Sequence, residues 1–247
     1  MELSGLRKGQ IGLIILSGVF LAFHFATWIT SLEYTSVASS VVLVTTTPLW
    51  VGLFSPVILH ERLSPMVAVG LVVALLGGVL VGLHEACTVS LSGIACPALD
   101  TFLKGDTSLG NLLALAGAIF AAAYLMVGRR LRPTLSLISY IATVYSVSAI
   151  CLVLMALFSG QALGGFSILT YLSFLGLAVV PQLLGHSSFN YALGYLSAAY
   201  VSVALLGEPI GSTLLAMLLL NEAPNTLEVL GGIIILVGIY LATRGQK

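Results

Sequence analysis

The sequence predicts an all-α membrane protein, a polytopic bundle of eight transmembrane helices built as inverted repeats, three helices in the first repeat and five in the second. Three observations predict it: the composition, the length of the apolar runs, and an internal duplication. Of 247 residues, 59% are hydrophobic and 7% charged, and the mean hydropathy is +1.13. A soluble domain carries about 25% charged residues, so this chain has too few to cover a water-facing surface.

Apolar runs occur at 11–32, 35–59, 66–83, 109–128, 134–158, 167–193, 198–220 and 227–243, close to or above the roughly 20 residues that cross a hydrocarbon core. They are continuous and lack a period of two, which selects helices over barrel strands, the two structures a bilayer permits. The first run follows Arg7 and Lys8. It is longer than the about 7–15 residues of a signal h-region and has no clear small-x-small cleavage site behind it, so it reads as a retained helix. The second is interrupted by Pro48, and the third leads into the longest connection, residues 84–108. The fourth stops at Arg129 and Arg130, and the fifth begins beyond Arg132. The sixth carries Gln182, His186 and Asn190, the seventh is interrupted by Glu208 and Pro209, and the eighth ends at Arg244.

Charge placement sets the orientation. With the N-terminus inside, eight of the 9 Lys and Arg face the cytoplasm and Lys104 alone lies outside, which satisfies the positive-inside rule. Glu33, Glu85, Asp100, Asp106, Glu222 and Glu228 then fall on the external side. Both termini are expected to be cytoplasmic and residues 84–108 external. The spacing of Cys87 and Cys96 in that connection leaves a disulfide open, whereas Cys151 reads as a small packing residue. No clustered basic face suggests a nucleic-acid partner.

Sliding the chain against itself by 161 residues, which carries Tyr34 onto Tyr195, aligns about a dozen identities without a gap. They include Ser36 with Ser197, Ala38 with Ala199, Pro48 with Pro209, Glu61 with Glu222, Gly70 with Gly231 and Gly77 with Gly238. The first three helices thus match the last three, and the repeat unit is five helices long. An odd unit inverts its second copy, an arrangement common among secondary transporters. The domain reading is residues 1–83 as an incomplete first repeat, 84–108 as external loop, and 109–247 as the second repeat. Helices four and five have no counterpart before residue 11, since 109 less 161 falls upstream of Met1. The expectation is a ten-helix parent without its first two helices, in preference to a natural eight-helix variant.

The stretches LEYTSVASSVVLVTTTPLWVGLFSPVILHERLS and VGLVVALLGGVLVG, with GYLSAAYVSVALLGEPIGSTLLAMLLLNEAPNTLEVLGGIIILVGIYL in the second half, resemble the EamA-type family of the drug/metabolite transporter superfamily. The similarity covers residues 7–83 and 109–243. It implies a multipass inner-membrane transporter of small metabolites such as amino acids, nucleotide-related compounds or drugs, often moved outward. The absence of two helices departs from the pattern and puts independent transport in question.

Intramembrane polar groups are costly and invite a functional reading. An ionised Glu208 near a helix centre costs about 2.5–3.5 kcal/mol on insertion scales; protonation or a wet cavity would relieve this. The functional reading is a proton-coupling or cation-binding carboxylate. The structural alternative satisfies it with Ser202 or Ser212 and treats Gly207 and Gly211 as a small-residue packing face. Its repeat mate is Thr47, so the expected helix kinks at Pro48 and Pro209 are shared while the charge is not. His24 and Trp28 share one helical face, and Gln182, His186 and Asn190 form a polar stripe that suits either a cavity or another helix. Thr46, with Thr45, Thr47 and Trp50, offers hydroxyls and a ring, or simply bonds back to its own helix. Tyr124, Tyr140 and Tyr145 favour packing, and Glu61 and Glu222 read as fold positions.

No metal-ligand set appears, and no cofactor is expected. The stretch GHSSF lacks the closing glycine of a nucleophile elbow, and HERLS and HEACT lack the second histidine of a zinc-protease helix, so an enzyme is not expected. The reading is a transporter, in all expectation an exporter, with a path between repeats contacted by His24, Trp28, Thr46, Gln182, His186, Asn190 and Glu208. The partners expected are a small-molecule substrate, protons and the lipid bilayer. The alternative is a non-transporting scaffold or truncated relic that pairs with another chain through Gly78-x-x-x-Gly82, and a homodimer is compatible with either.

Overall fold

The computed structural model describes residues 7–35, 37–86, 88–90, 93–95, 105–215, 217–218 and 226–245. Its helices are α1 (Lys8–Tyr34), α2 (Val37–Val44), α3 (Thr47–Ile58), α4 (Pro65–Ala86), α5 (Gly105–Leu131), α6 (Leu137–Phe158), α7 (Ile168–Leu177), α8 (Ser187–Ala192), α9 (Ala198–Leu205), α10 (Glu208–Leu215) and α11 (Thr226–Gly245). A π-helix, Ala178–His186, joins α7 to α8. Among the described residues, five stretches are long and apolar enough to span a membrane: Lys8–Tyr34, Ser39–Ile58, Asp106–Leu131, Leu137–Phe158 and Ile168–Ala192. Shorter apolar helices cover Pro65–Leu80 and Val229–Gly245. The helical membrane-protein class is therefore as expected.

The connection 84–108 holds a feature the apolar pattern could not reveal. Strand β1 (Thr88–Ser90) pairs antiparallel with β2 (Gly93–Ala95), Thr88 opposite Ala95. Cys87 and Cys96, together with Lys104 and Glu222, lie outside the described residues, as do the side chains of Pro209 and Ser212 and the surroundings of Gly82.

Helix ends are set locally. Ser136, Ser167 and Ser197 cap α6, α7 and α9, their hydroxyls accepting from the backbone N–H of Ser139, Thr170 and Tyr200 at 3.2–3.3 Å. Each satisfies a donor that the first helical turn leaves unpaired. Beyond the C-terminus of α6, Gly160 takes φ +68°, the left-handed conformation that closes many helices.

The chain forms two compact units, one of Met1–Phe23 with Ala123–Leu196, the other of His24–Ala122 with Ser197–Lys247. Helices α1 and α5 contribute to both. In the first unit α1 approaches α6 at Gly18, where a Cβ would stand 2.6 Å from that of Val147, and Ser17 Oγ bonds Tyr140 Oη at 2.8 Å. Leu21, Tyr140, Val144 and Leu193 are fully buried there, while α7 and the π-helix bury no residue.

In the second unit the core is the pair α4 and α11, running antiparallel. A Cβ on Gly70 would stand 2.5 Å from the Gly238 carbonyl, and one on Gly77 2.7 Å from the Gly231 carbonyl. Adding 161 to Gly70 gives Gly231, and to Gly77 gives Gly238, so the two contacts exchange under the repeat. The pair is its own image about a pseudo-two-fold axis, which is the packing signature of inverted copies. Leu71, Ala74, Val203, Leu206, Ile235 and Ala242 close the surrounding core.

The second and seventh apolar runs are each broken in two, at matching places: α2 ends at Val44 and α3 begins at Thr47, while α9 ends at Leu205 and α10 begins at Glu208. Each pair of boundaries differs by the repeat offset. Pro48 and Pro209 therefore stand in the first turn of a new helix, where the missing N–H has no acceptor to lose. The small-residue face expected of Gly207 and Gly211 is halved. A Cβ on Gly207 would meet Ile239 at 3.6 Å, but one on Gly211 would meet nothing within 4 Å. Gly78 is likewise open, the close packing of α4 being carried by Gly70 and Gly77.

Candidate functional site

The break between α2 and α3 is chemically sealed. Ending a helix leaves its last carbonyls without N–H partners. Here Thr45, Thr46 and Thr47 donate their hydroxyls to the carbonyls of Val42, Leu43 and Val44 at 2.9, 2.6 and 2.8 Å. Thr47 also reaches the Ala118 carbonyl of α5 at 3.3 Å, and Thr46 Oγ1 accepts from Trp50 Nε1 at 3.3 Å. Thr46 is thus occupied within its own helices. The second break has Leu206, Gly207 and Glu208 at the equivalent positions, so it carries no hydroxyl seal. Glu208 is exposed there and is the first residue of α10, where the positive end of the helix dipole favours a carboxylate by about 0.3–1 kcal/mol.

His24 and Trp28 are brought together in the second unit, their rings stacked at 5.6 Å with an interplanar angle of 19°. His24 is buried, and its Nδ1–H donates to the Gly117 carbonyl of α5 at 2.9 Å. That bond makes Nε2 the acceptor of the neutral ring. Glycine at 117 eases this approach, since a Cβ there would stand 3.2 Å from that of Trp28, a tight contact. The indole Nε1–H of Trp28 is enclosed and has no partner among the described residues.

Asn190 centres a second cluster, in the first unit, and is fully buried. Its Nδ2 donates to Tyr124 Oη at 2.5 Å and to Tyr145 Oη at 3.1 Å. Tyr145 Oη is also 3.3 Å from Ser187 Oγ, and the His186 ring lies 6.2 Å from that of Tyr124. Asn190 Oδ1 is enclosed without a partner among the described residues, a state that costs about 1–3 kcal/mol for a buried polar atom. Gln182 does not join this cluster. It sits half-exposed on the π-helix around Pro181, and i→i+5 bonding shifts the register that would align residues four apart.

The Asn190 cluster is tied to the α5–α6 turn by arginines. Arg132, buried, donates from Nε to the Asn190 carbonyl at 2.8 Å and from Nη1 to the Leu135 carbonyl. Arg129 Nη1 donates to the Leu193 carbonyl at 3.1 Å. Burial lowers the Arg132 pKa from its ordinary value, while Tyr140 and Tyr195 act in the opposite sense. Sequence reasoning named Asn190 and His186 but set the tyrosines aside as packing and gave Arg132 no partner. Tyr124 lies on α5, Tyr145 on α6 and Arg132 in the turn between them, and spacing along the chain cannot connect the three to Asn190. Glu61, read from sequence as a fold position, accepts from the Ala198 N–H at 3.3 Å at the start of α9. Among the described residues no group of three or more His, Cys, Asp or Glu converges on a metal-sized site.

A self-imaged helix pair, two matched helix breaks and buried polar clusters in an apolar helical fold are features also found among membrane transport proteins built from inverted repeats. The chain belongs to the EamA-like transporter family, whose model matches residues 2–83 and 108–244. It is 25% identical over 244 residues to an uncharacterized transporter of Archaeoglobus fulgidus, covering 98% of this chain and 78% of that one. It is 22% identical over 243 residues to the uncharacterized transporter YyaM of Bacillus subtilis, covering 97% and 75%. A solved crystal structure shares the fold with a TM-score of 0.76 at 19% identity, over 98% of this chain and 81% of that one. The chain is therefore a multi-pass membrane transporter with a small-molecule substrate.

Proposed function

We propose that this transporter moves a small metabolite, such as an amino acid, a nucleotide-related compound or a drug, outward across the cell membrane by alternating access between its inverted repeats, with both termini cytoplasmic. The observation that supports the reading is the α4–α11 pair. Gly70 against Gly238 and Gly77 against Gly231 make a tight contact that maps onto itself, so the two copies can exchange roles about it. The matched breaks at Val44–Thr47 and Leu205–Glu208 add interrupted helices of the kind transporters use at their sites. The residues proposed to contact the solute are His24, Trp28 and Glu208 in one unit and His186 and Asn190 in the other. Thr46, already bonded to Leu43 and Trp50, and Gln182, half-exposed on the π-helix, have lesser claims.

Glu208, at the break that has no threonines at the matching positions, couples transport to protons. Reconstituted vesicles loaded with labelled amino acids, nucleosides or cationic drugs test the whole reading, since flux above that of empty vesicles must appear for at least one class. Glu208→Gln should lower that flux about tenfold, equivalent to about 1.4 kcal/mol, and flatten its pH dependence. Full flux with unchanged pH dependence would remove Glu208 from coupling. A scaffold that pairs with another chain, or with a second copy, draws on the absence of any buried residue in α7 and the π-helix. It becomes the better reading if no solute crosses.

A further inference from the structure

We infer that Asn190, framed by Tyr124 and Tyr145, is a specificity-determining residue that takes an uncharged solute carrying an N–H or O–H donor beside a planar ring, and that permanently cationic solutes are refused there. The inference rests on the transporter reading above and deepens it by assigning a substrate class.

Three observations carry it. The first is the unmatched half of a buried amide. Both Asn190 Nδ2 hydrogens are engaged, by Tyr124 Oη and Tyr145 Oη. Tyr145 Oη and Ser187 Oγ also share a hydrogen bond, and Oδ1 is the end of the amide without a partner among the described residues. Arg132 holds the residue by its backbone carbonyl and so does not reach Oδ1 to satisfy it. An acceptor fixed from both sides and left unmet asks for a donor from outside the protein.

The second is the charge around it. Residues 7–23 and 123–196, the described part of the unit that holds the cluster, contain no Asp or Glu. A cation would find no counter-charge there and would meet the guanidinium of Arg132 one backbone carbonyl away. Arg132 has two of its five N–H donors engaged, on the carbonyls of Asn190 and Leu135. A neutral solute avoids the desolvation cost that a charge of either sign pays beside a fully buried amide.

The third is the shape of the neighbours. The rings of Tyr124 and His186 are tilted at 51° with their centroids 6.2 Å apart, and Tyr145 adds a further ring beside the same amide. Aromatic edges and faces around one hydrogen-bonding point suit a planar ring through tilted contacts. Asn190 has no exposed surface here, so a solute reaches it only in another conformation of the alternating cycle proposed above.

The probe is labelled uridine, neutral and planar with a ring N–H, measured for counterflow in proteoliposomes of the full chain, with tetraphenylphosphonium and benzoate as charged competitors. Uridine should be carried, and neither ion should compete. Asn190→Leu should raise the half-saturating concentration at least about tenfold. Tyr145→Phe, which keeps the ring and removes one hydroxyl, should raise it about threefold. Asn190→Asp should let tetraphenylphosphonium compete. Equal competition by tetraphenylphosphonium in the unsubstituted protein, or uridine handling unchanged in both Asn190→Leu and Tyr145→Phe, overturns the inference. If no solute crosses at all, the transporter reading fails separately, and equilibrium binding of uridine to the detergent-purified chain decides this one. Binding lost in Tyr145→Phe or Asn190→Leu supports the site, and absence of uridine binding overturns it.

Discussion

Arg132 illustrates how a single side chain joins two kinds of constraint. Its fork satisfies the carbonyls of Asn190 and Leu135 while its charge meets the negative end of α8, which closes at Ala192. Arg132→Ala strands both carbonyls, each costing about 1–3 kcal/mol if it stays buried. Thermal unfolding in detergent should therefore show a loss of about 2–6 kcal/mol. Arg132→Lys should recover part of it, because an ammonium keeps the charge but lacks the fork. Unchanged unfolding in Arg132→Ala would mean that water replaces the guanidinium. The same scale explains the asymmetry of the two helix breaks. Three threonine hydroxyls close the first, whereas Glu208 stands at the second. Its position in the first turn of α10 gives the carboxylate a structural reason that the repeat alone did not supply.

Among the elements, α4 and α11 make the most demanding contact. Backbone meets backbone at Gly70 and Gly238, so Gly238→Ala must push the helices apart, with an expected cost of about 1–3 kcal/mol. Gly78→Ala faces open space and should be neutral or stabilising by up to about 1 kcal/mol, since alanine has less chain entropy to lose. The double variant Gly70→Ala with Gly238→Ala should cost less than the sum of its parts, because the first substitution already opens the gap for the second. Detergent-resistant unfolding curves for the four proteins measure this directly. Strict additivity would show that the two glycines do not share one contact.

For the whole molecule, orientation is the property most open to test. The proposed topology puts Gln246 inside and Ser92 outside. With Cys87, Cys96 and Cys151 replaced by serine, Ser92→Cys should react with a membrane-impermeant maleimide on intact cells and Gln246→Cys should not. The reverse pattern would invert the topology and with it the assignment of transport direction.

Composition and run length were enough to read the helical membrane class, because in lipid a continuous apolar run has only a few ways to satisfy its backbone. The offset of 161 residues, matching Gly70 to Gly231 and Pro48 to Pro209, was enough to read the duplication and where each copy breaks. Sequence could also pick out Asn190 and His24 as polar groups in costly places. It could not say that Asn190 meets tyrosines from α5 and α6, that His24 is held by Gly117, or that Gln182 leaves the stripe through a π-helix. Those outcomes depend on contacts between helices far apart in the chain and on local changes of helical pitch. Periodicity along a single run carries no record of either, and tertiary packing alone decides them.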